Sequence, residues 1–171
     1  TCDAFFFKNK KVAVVGGGNT AVEEALFLSK FAREVVIIHR RDKLRSEKIL
    51  QDRAFSNDKI SFIWNSAVAD INGSNDPKTV KSITIKSLKD KSISKLDLDG
   101  IFIAIGHKPN TDIFKDKLEL DKEGYLKVFN HVFTNKEGVF AAGDVHDKIF
   151  RQAVTAAGYG CMAALEVEKF L

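Results

Sequence analysis

The 171-residue sequence predicts an α/β fold that begins with a strand–helix–strand unit. A short apolar run, Val12 to Val15, leads directly into three consecutive glycines, Gly16 to Gly18. An amphipathic segment follows the glycines, and a second β-branched run, Val35 to Ile38, comes after it. The order of strand, glycine turn, helix and strand is typical of a βαβ unit that binds a dinucleotide.

The glycine turn has the residue types that a pyrophosphate site requires. Gly16 allows the tight turn after the strand, and Gly18 lets the pyrophosphate approach the backbone. Ala21 lets the helix lie close to the sheet, and the helix N-terminus offers unpaired N–H groups to the phosphates. Thr20 and Glu23 have the spacing of a capping box. The alternative is an ordinary glycine turn. The predicted contacts to the dinucleotide are Gly16, Gly17, Gly18, Asn19 and Thr20.

The end of the second strand predicts which dinucleotide binds. An NAD site has an acidic residue there, which accepts a hydrogen bond from the ribose 2′-hydroxyl. This sequence has His39 instead, followed by Arg40 and Arg41, with Arg45 shortly after them. Guanidinium groups match a 2′-phosphate in charge and geometry, so Arg40, Arg41 and Arg45 predict a preference for NADPH over NADH. His39 is a further predicted cofactor contact. The alternative interpretation is a solvated basic helix start.

The residues after the basic cluster predict a second helix and then several strands. Asn72 to Pro77 are turn-forming, and the runs on either side of them predict a β-hairpin. The predicted elements are a helix over residues 44–55, strands over 60–64, 67–71, 80–85 and 93–98, and a fully buried strand over 100–106. We predict that the hairpin is structural and that its polar loop carries no chemistry.

The last third of the chain predicts two short strands, over residues 125–129 and 139–142, and a long helix from Arg151 to Leu171. Apolar residues recur along that helix at roughly helical spacing, which predicts that Cys161 lies on a packed helix face. His107 has no paired carboxylate or nucleophile near it in sequence. We therefore interpret it as a solvent-facing loop histidine rather than a catalytic base.

Three segments resemble bacterial-type, low-molecular-weight thioredoxin reductases. Residues 16–32 together with the cluster HRRDKLR resemble the NADPH domain of that family, and residues 139–164 resemble its second flavin-contact segment. Between them, the family pattern A-x-G-x-x-P-N-T is matched by Ala104, Gly106, Pro109, Asn110 and Thr111. The resemblance covers essentially the whole chain.

The resemblance implies a Rossmann-like NADPH-binding domain with an inserted antiparallel β-hairpin or meander, over residues 1–107. The C-terminal half of an FAD-binding domain would follow over residues 108–171. In the family, the Asp of Gly-Asp bonds the ribityl chain of FAD, and the next helix N-terminus faces the isoalloxazine ring. The implied cofactor contacts are Ile105, Gly106, Gly143, Asp144, Arg151, Gln152 and Ala153.

The first residues, Thr1, Cys2 and Asp3, resemble the end of the family's Cys-x-x-Cys-Asp segment. The resemblance implies that Cys2 is the sulfur nearer the flavin and that Asp3 is the acid that handles its proton. The first cysteine of that segment would lie before Thr1. Taken alone, Cys2 is an ordinary thiol near a terminus.

The family reaction passes electrons from NADPH to FAD, then to an enzyme disulfide, and finally to thioredoxin, and the whole enzymes are homodimers. The first half of the FAD-binding domain would precede Thr1, so we expect a fragment that is inactive alone and has an unpartnered apolar face after Pro109. The alternatives are a non-catalytic NADP(H)-binding remnant and a related flavin reductase without the disulfide.

Composition and charge exclude several other classes of protein. The chain is 44% hydrophobic, which suffices for a sizeable core. Its net charge is only +4 and its basic residues cluster beside a nucleotide motif, which argues against nucleic-acid binding. No apolar run approaches the ~20 residues of a membrane helix, and no signal peptide is visible. Cys2 and Cys161 stand far apart, so we expect a reducing cytoplasmic compartment, and we predict no metal site.

Overall fold

A computed structural model describes residues 2–171, apart from the side chain of Cys2. The chain divides into two compact units, one ending at Gly106 and the other beginning at His107. The fold is mixed α/β, with a parallel sheet and a separate antiparallel sheet, which confirms the predicted fold class. None of the helices in the described chain combines the length and the apolar content that crossing a bilayer requires.

The first unit contains a four-stranded parallel sheet in the order β3-β2-β1-β7. Its strands are β1 (Lys11–Val15), β2 (Glu34–Ile38), β3 (Ile60–Ile63) and β7 (Gly100–Ile103). The helices of this unit are α1 (Asn19–Leu28) and α2 (Lys48–Phe55). Strand β1 pairs with β2 on one side and β7 on the other, which explains why its middle residues are fully buried. The predicted strand–helix–strand order is confirmed.

An antiparallel meander follows β3 and consists of β4 (Ser66–Asn75), β5 (Lys78–Ser87) and β6 (Ile93–Asp97). It confirms the predicted hairpin, with strands longer than predicted. Because side chains alternate along a strand, β2 sends Val35 and Ile37 into the cluster that includes α1. It sends Val36 and Ile38 into a second cluster, which contains Ile83 of β5. The parallel sheet is therefore packed on both faces.

Three local predictions in this unit are wrong. The second helix begins at Lys48 rather than residue 44, because the preceding segment is irregular and hydrogen-bonded to the glycine turn. Helix α1 is capped by Gly18 without a side-chain hydrogen bond, so Thr20 and Glu23 form no capping box. Strand β7 is not fully buried, since it lies at the edge of the sheet and Ile103 is 56% exposed.

The second unit contains one long helix, α3 (Ala153–Phe170), close to its predicted extent. The predicted strands over residues 125–129 and 139–142 are wrong, because this region forms only isolated bridges such as Phe129–Phe133 and Phe133–Phe140. Asn130 and His131 have positive φ angles, so the chain turns too soon for a ladder to extend. A small set of buried residues holds the turns: Tyr125, Leu126, Val132 and Ala141.

Helix α3 has no buried residue. Cys161 is exposed, so the prediction of a packed helix face around it is wrong. Among the residues described for this unit, the ring contacts to α3 come from Phe140 against Phe170 and from His146 against Tyr159. These contacts cover too little of an 18-residue helix to bury any of its side chains.

Candidate nucleotide-binding cleft

A cleft of about 890 Å³ lies within the first unit, at the carboxyl ends of β1, β2 and β7. Its lining comes from the glycine turn, residues 38–40 together with Arg45, the first half of β4 and residues 103–106. Ligands of open parallel sheets bind outside the carboxyl ends of the strands. A volume of this size is typical of a small-molecule or cofactor site. The cleft is therefore the candidate functional site.

The three glycines of the turn are required for three different reasons. A Cβ atom on Gly16 would clash with the carbonyl oxygen of Ala104 and would lie 2.7 Å from Cβ of Ala21. A Cβ atom on Gly17 would collide with the imidazole of His39. A Cβ atom on Gly18 would meet nothing within 4 Å, so the space beside it is open. Only at Gly18 does the missing side chain leave room for a ligand.

The first turn of α1 supplies hydrogen-bond donors beside that open space. Gly18 is the N-cap residue, and among the described residues the cap has no side-chain hydrogen bond. Thr20 lines the cleft, as do all three glycines. Unpaired N–H groups at a helix N-terminus favour a phosphate.

The basic segment, residues 39–47, crosses close to the glycine turn. The backbone N–H of Arg45 donates to the carbonyl oxygen of Gly17 at 2.7 Å. Arg40 and Arg45 line the cleft, whereas Arg41 is exposed outside it and its carbonyl oxygen accepts a hydrogen bond from the N–H of Asn65. None of these three arginines forms an ion pair with a carboxylate among residues 2–171, as far as the structure describes them. Two guanidinium groups at the cleft are thus available to an anion.

His39 lies beneath the glycine turn and is 4% exposed. Its ring packs edge-on to Trp64 at a centroid distance of 6.4 Å, and its Nε2 atom is buried without a hydrogen-bond partner in the part of the chain that the structure describes. Burial lowers the pKa of His39, and the positive charges of Arg45, Arg41 and Arg40 lower that pKa further. The imidazole is therefore neutral at neutral pH.

These features fit a phosphate-bearing dinucleotide. The open space at Gly18 would take the pyrophosphate, and a 2′-phosphate would find Arg40 and Arg45 unpaired. Residues Ile105 and Gly106 line the same cleft. Asn19 does not line it, because its side-chain amide is hydrogen-bonded to Glu47 instead.

One wall of the cleft was not predicted from the sequence. Residues 66–71 of β4 line it, although the hairpin was predicted to be structural only. Asp70 brings an exposed carboxylate to this wall, and Ile71 brings an exposed apolar side chain. The signal was available in the sequence, because β4 starts within three residues of the carboxyl end of β3.

In the second unit, the predicted flavin contacts occupy two short segments. Gly143 and Asp144 lie in a 3-10 turn, where Gly143 has a φ angle of +79° and Asp144 is exposed. Arg151 has a φ angle of +50°, and its guanidinium contacts Nδ1 of His107, which is exposed as predicted. Gln152 is the N-cap residue of α3 and forms a capping box with Thr155. Ala153 is the first residue of the helix and is exposed.

Asp147, which was also not predicted from the sequence, organises the loop before α3. Its buried carboxylate accepts hydrogen bonds from the backbone N–H groups of Ile149, Phe150 and Arg151, at 3.1, 2.9 and 3.2 Å. It also accepts one from the hydroxyl of Thr155. The bond from Phe150 is the largest of the effects that lower the pKa of Asp147. An aspartate shortly before a helix is the signal that could have identified it.

The predicted redox residues lie at the start of the chain. Cys2 begins a 3-10 helix, Cys2–Phe7, in which Asp3 is exposed. Thr1 and the side chain of Cys2 lie outside the described part of the chain. The roles of Cys2 and Asp3 therefore stay predictions.

Comparison with known proteins identifies a matching family and several similar proteins. The family model described as "Pyridine nucleotide-disulphide oxidoreductase" matches residues 1–160. The thioredoxin reductase of Rickettsia conorii is 59% identical over 100% of this chain and 56% of its own length. The one from Streptomyces clavuligerus is 55% identical over 100% of this chain and 52% of its own length.

Solved structures of thioredoxin reductases are also similar to this chain. The structure from Streptococcus pyogenes gives a TM-score of 0.84 at 43% identity, covering 98% of this chain and 54% of that one. The structure from Giardia duodenalis gives a TM-score of 0.77 at 41% identity, covering 98% and 55% of the respective chains. This chain thus spans about half the length of the relatives that it matches.

Proposed function

This chain belongs to the pyridine nucleotide-disulphide oxidoreductase family, and we propose that it forms the NADPH-binding part of a thioredoxin reductase together with a portion of the FAD-binding part. One observation carries the proposal. The glycine turn and the unpaired guanidinium groups of Arg40 and Arg45 line one cleft at the carboxyl ends of parallel strands. That combination suits the pyrophosphate and the 2′-phosphate of NADPH.

We propose the nucleotide-binding domain over residues 1–107 and the FAD-binding portion over residues 108–171. In the first, Gly16, Gly17, Gly18 and Thr20 would bind the pyrophosphate. His39 would support the turn from below, and Arg40 and Arg45 would bind the 2′-phosphate. Asn19 and Arg41 would act on the nucleotide only indirectly, since neither lines the cleft. Ile105 and Gly106 would border the part of the nucleotide that lies beyond the pyrophosphate.

In the second domain, the proposed flavin contacts are Gly143, Asp144, Arg151, Gln152 and Ala153. Asp144 is exposed, so its carboxylate is free to accept hydrogen bonds from a polyol. Asp147 would hold the loop that ends in Arg151 and Gln152. When bound, NADPH would supply a hydride to FAD, and FAD would supply two electrons for the reduction of a disulfide. Cys2 would supply one sulfur of that disulfide, and Asp3 would exchange a proton with the Cys2 thiol after reduction.

The partners follow from the family and are part of the proposal. The electrons would pass to thioredoxin, and the longer protein that the relatives represent would be a homodimer. We propose the cytoplasm as the compartment, where a thiol such as Cys2 can cycle under reducing conditions. The 171 residues alone would bind the nucleotide but would not catalyse the reduction of thioredoxin.

A second function, NADP(H) binding without electron transfer, is favoured by one observation. Every residue that lines the cleft belongs to the unit that ends at Gly106. That unit could therefore bind the nucleotide by itself. A visible absorption spectrum before and after anaerobic addition of NADPH separates the two functions. Flavin bands that bleach indicate electron transfer, whereas a featureless spectrum with NADPH binding favours the second function.

Nucleotide titrations test the NADPH assignment. We expect Arg40→Ala and Arg45→Ala each to weaken NADPH binding roughly tenfold, because each removes a charged hydrogen-bond donor to the 2′-phosphate. NADH binding should change little. Arg41→Ala is the matched control with a smaller effect, since Arg41 lies outside the cleft. Equal affinity of the unaltered chain for NADPH and NADH would refute the assignment.

A further inference from the structure

We propose that Asn19 and Glu47 form a clamp that holds Arg45 in place for the 2′-phosphate, so that both are positioning residues for the choice of nucleotide. This proposal rests on the proposed function, since it concerns the same cleft. It assigns Asn19 a role different from the direct cofactor contact predicted from sequence.

The clamp consists of two reciprocal hydrogen bonds between residues 28 positions apart in the chain. The backbone N–H of Glu47 donates to Oδ1 of Asn19 at 2.8 Å. In return, Nδ2 of Asn19 donates to Oε1 of Glu47 at 3.2 Å. Both polar atoms of the Asn19 side chain are therefore engaged with Glu47. Asn19 can act on the nucleotide through the basic segment.

Arg45 lies two residues before Glu47 and itself carries a second attachment, to the glycine turn. Its own backbone N–H bonds the carbonyl oxygen of Gly17 at 2.7 Å, and the neighbouring Leu44 is buried in the core of the first unit. The segment has no helix or strand of its own before Lys48. Its conformation therefore depends on these attachments rather than on a regular hydrogen-bond ladder.

The side chain of Arg45 has no attachment of this kind. It is exposed, and none of the carboxylates that the structure describes pairs with it. Its direction toward the cleft thus follows from where the backbone holds it. A ligand that needs Arg45 binds only the fraction of molecules in which the segment is in place, and its dissociation constant rises as that fraction falls. NADH lacks the 2′-phosphate and does not need Arg45.

The experiment measures the dissociation constants of NADPH and NADH for the 171-residue chain by nucleotide fluorescence. For Asn19→Ala we expect NADPH binding to weaken roughly threefold to tenfold, the range that the loss of one or two ordinary hydrogen bonds produces. NADH binding should stay within experimental error. A loss of equal size for both nucleotides would overturn the clamp, because it would mean that Asn19 acts on the shared part of the ligand.

Asn57→Ala is the matched control. Asn57 also accepts a backbone N–H, from Lys59 at 3.0 Å, and donates to a side-chain oxygen, Oγ of Ser29, at 3.0 Å. It lies in the same unit and does not line the cleft. We expect Asn57→Ala to leave the ratio of NADPH affinity to NADH affinity unchanged. A fall in this affinity ratio equal to that of Asn19→Ala would show a general effect on stability and overturn the clamp.

Substitutions of Glu47 separate the clamp from simple charge repulsion. Glu47→Gln keeps a side-chain oxygen that can accept from Asn19, whereas Glu47→Ala removes it. The clamp predicts weaker NADPH binding for Glu47→Ala and no weakening for Glu47→Gln. If Glu47 acted only as a negative charge near the arginines, both substitutions would strengthen NADPH binding, and that result would overturn the clamp.

The unaltered chain distinguishes failure of this inference from failure of the proposed function. If it binds NADPH and NADH equally, the 2′-phosphate site itself is refuted and the clamp with it. If it prefers NADPH and Asn19→Ala keeps the full preference, only the clamp is refuted.

Discussion

In the unit that ends at Gly106, helix α1 buries Ala21, Val22, Ala25 and Leu28, whereas helix α3 of the unit that begins at His107 buries none of its 18 residues. Both hydrophobic clusters of the described chain belong to the first unit. In the second, the loop before α3 is held by hydrogen bonds to the carboxylate of Asp147. The helix of the first unit is therefore held by burial, whereas the helix of the second unit is preceded by a loop that is held by polar contacts.

This difference bears on function. The cleft of the first unit is built on a packed sheet, so its glycine turn and basic segment are supported from beneath by buried residues such as Ile38 and His39. Three of the candidate flavin contacts of the second unit, Asp144, Gln152 and Ala153, are exposed, and they lie in a short turn and at a helix start. A site on a rigid scaffold is preorganised for its ligand, whereas a site on weakly packed elements gains order when the ligand binds.

The largest expected effect is on the free energy of unfolding, and it is measured by comparing a leucine substitution in α1 with one in α3. Leu28 of α1 is fully buried, so we expect Leu28→Ala to lower the free energy of unfolding by about 2–5 kcal/mol. Leu165 of α3 is 52% exposed, and Leu165→Ala should change the free energy of unfolding by less than about 0.5 kcal/mol. Urea unfolding of both variants provides the measurement. Similar losses for the two would contradict the comparison.

A smaller effect is expected for Asp147→Asn, which replaces two acceptor oxygens by one. The N–H of Arg151 and the hydroxyl of Thr155 both donate to Oδ2, and an amide nitrogen in its place cannot accept from them. We expect the Arg151 amide to exchange with solvent roughly tenfold faster, since the bond lost is one to a charged group. Amide hydrogen exchange measures this, with α1 amides as the unchanged reference. Unaltered exchange at Arg151 would show that other contacts hold the loop.

The same carboxylate gives the second unit a pH dependence. Because its hydrogen bonds lower the pKa of Asp147, its contribution to stability is present above its ordinary pKa and is lost as the pH falls through the lowered value.

The smallest effect is expected at His39, in the first unit. Burial lowers its pKa, so the unfolded chain binds a proton before the folded chain does. The contribution of His39 to stability should therefore decline as the pH falls below about 6.5, by at most about 1.4 kcal/mol per pH unit, and should be constant above it. Trp64 is the only tryptophan of the chain and packs against His39, so its fluorescence reports on the titration. A stability that rises on acidification would show that His39 gains rather than loses a proton on folding.

Local sequence patterns predicted the elements whose residues contact other residues that are close to them in the sequence. The run Val12 to Val15, the glycines and the run Val35 to Ile38 were sufficient to predict β1, α1 and β2. The turn residues before Pro77 were sufficient to predict the hairpin. In each case the chain folds back within a short distance, and apolar periodicity or turn chemistry decides the outcome.

Tertiary contacts decided the elements that sequence patterns misjudged. The helical pattern from Leu44 gives way to an irregular segment because Gly17 and Asn19 supply its hydrogen bonds. The apolar segments over residues 125–129 and 139–142 form only isolated bridges because their turns leave no room for a ladder. The periodicity around Cys161 predicted burial, but periodicity shows only which face is apolar and not whether a neighbour covers it.

By itself the sequence determined the α/β order of the first unit, its glycine turn and the presence of basic residues at the end of β2, because these depend on residue type and spacing along a continuous stretch. Only the tertiary structure decided that Arg40 and Arg45 line the cleft while Arg41 does not, that β4 forms a wall, and that Asn19 binds Glu47. These facts depend on distances between residues far apart in the chain. Such distances are set by packing, which no local pattern contains.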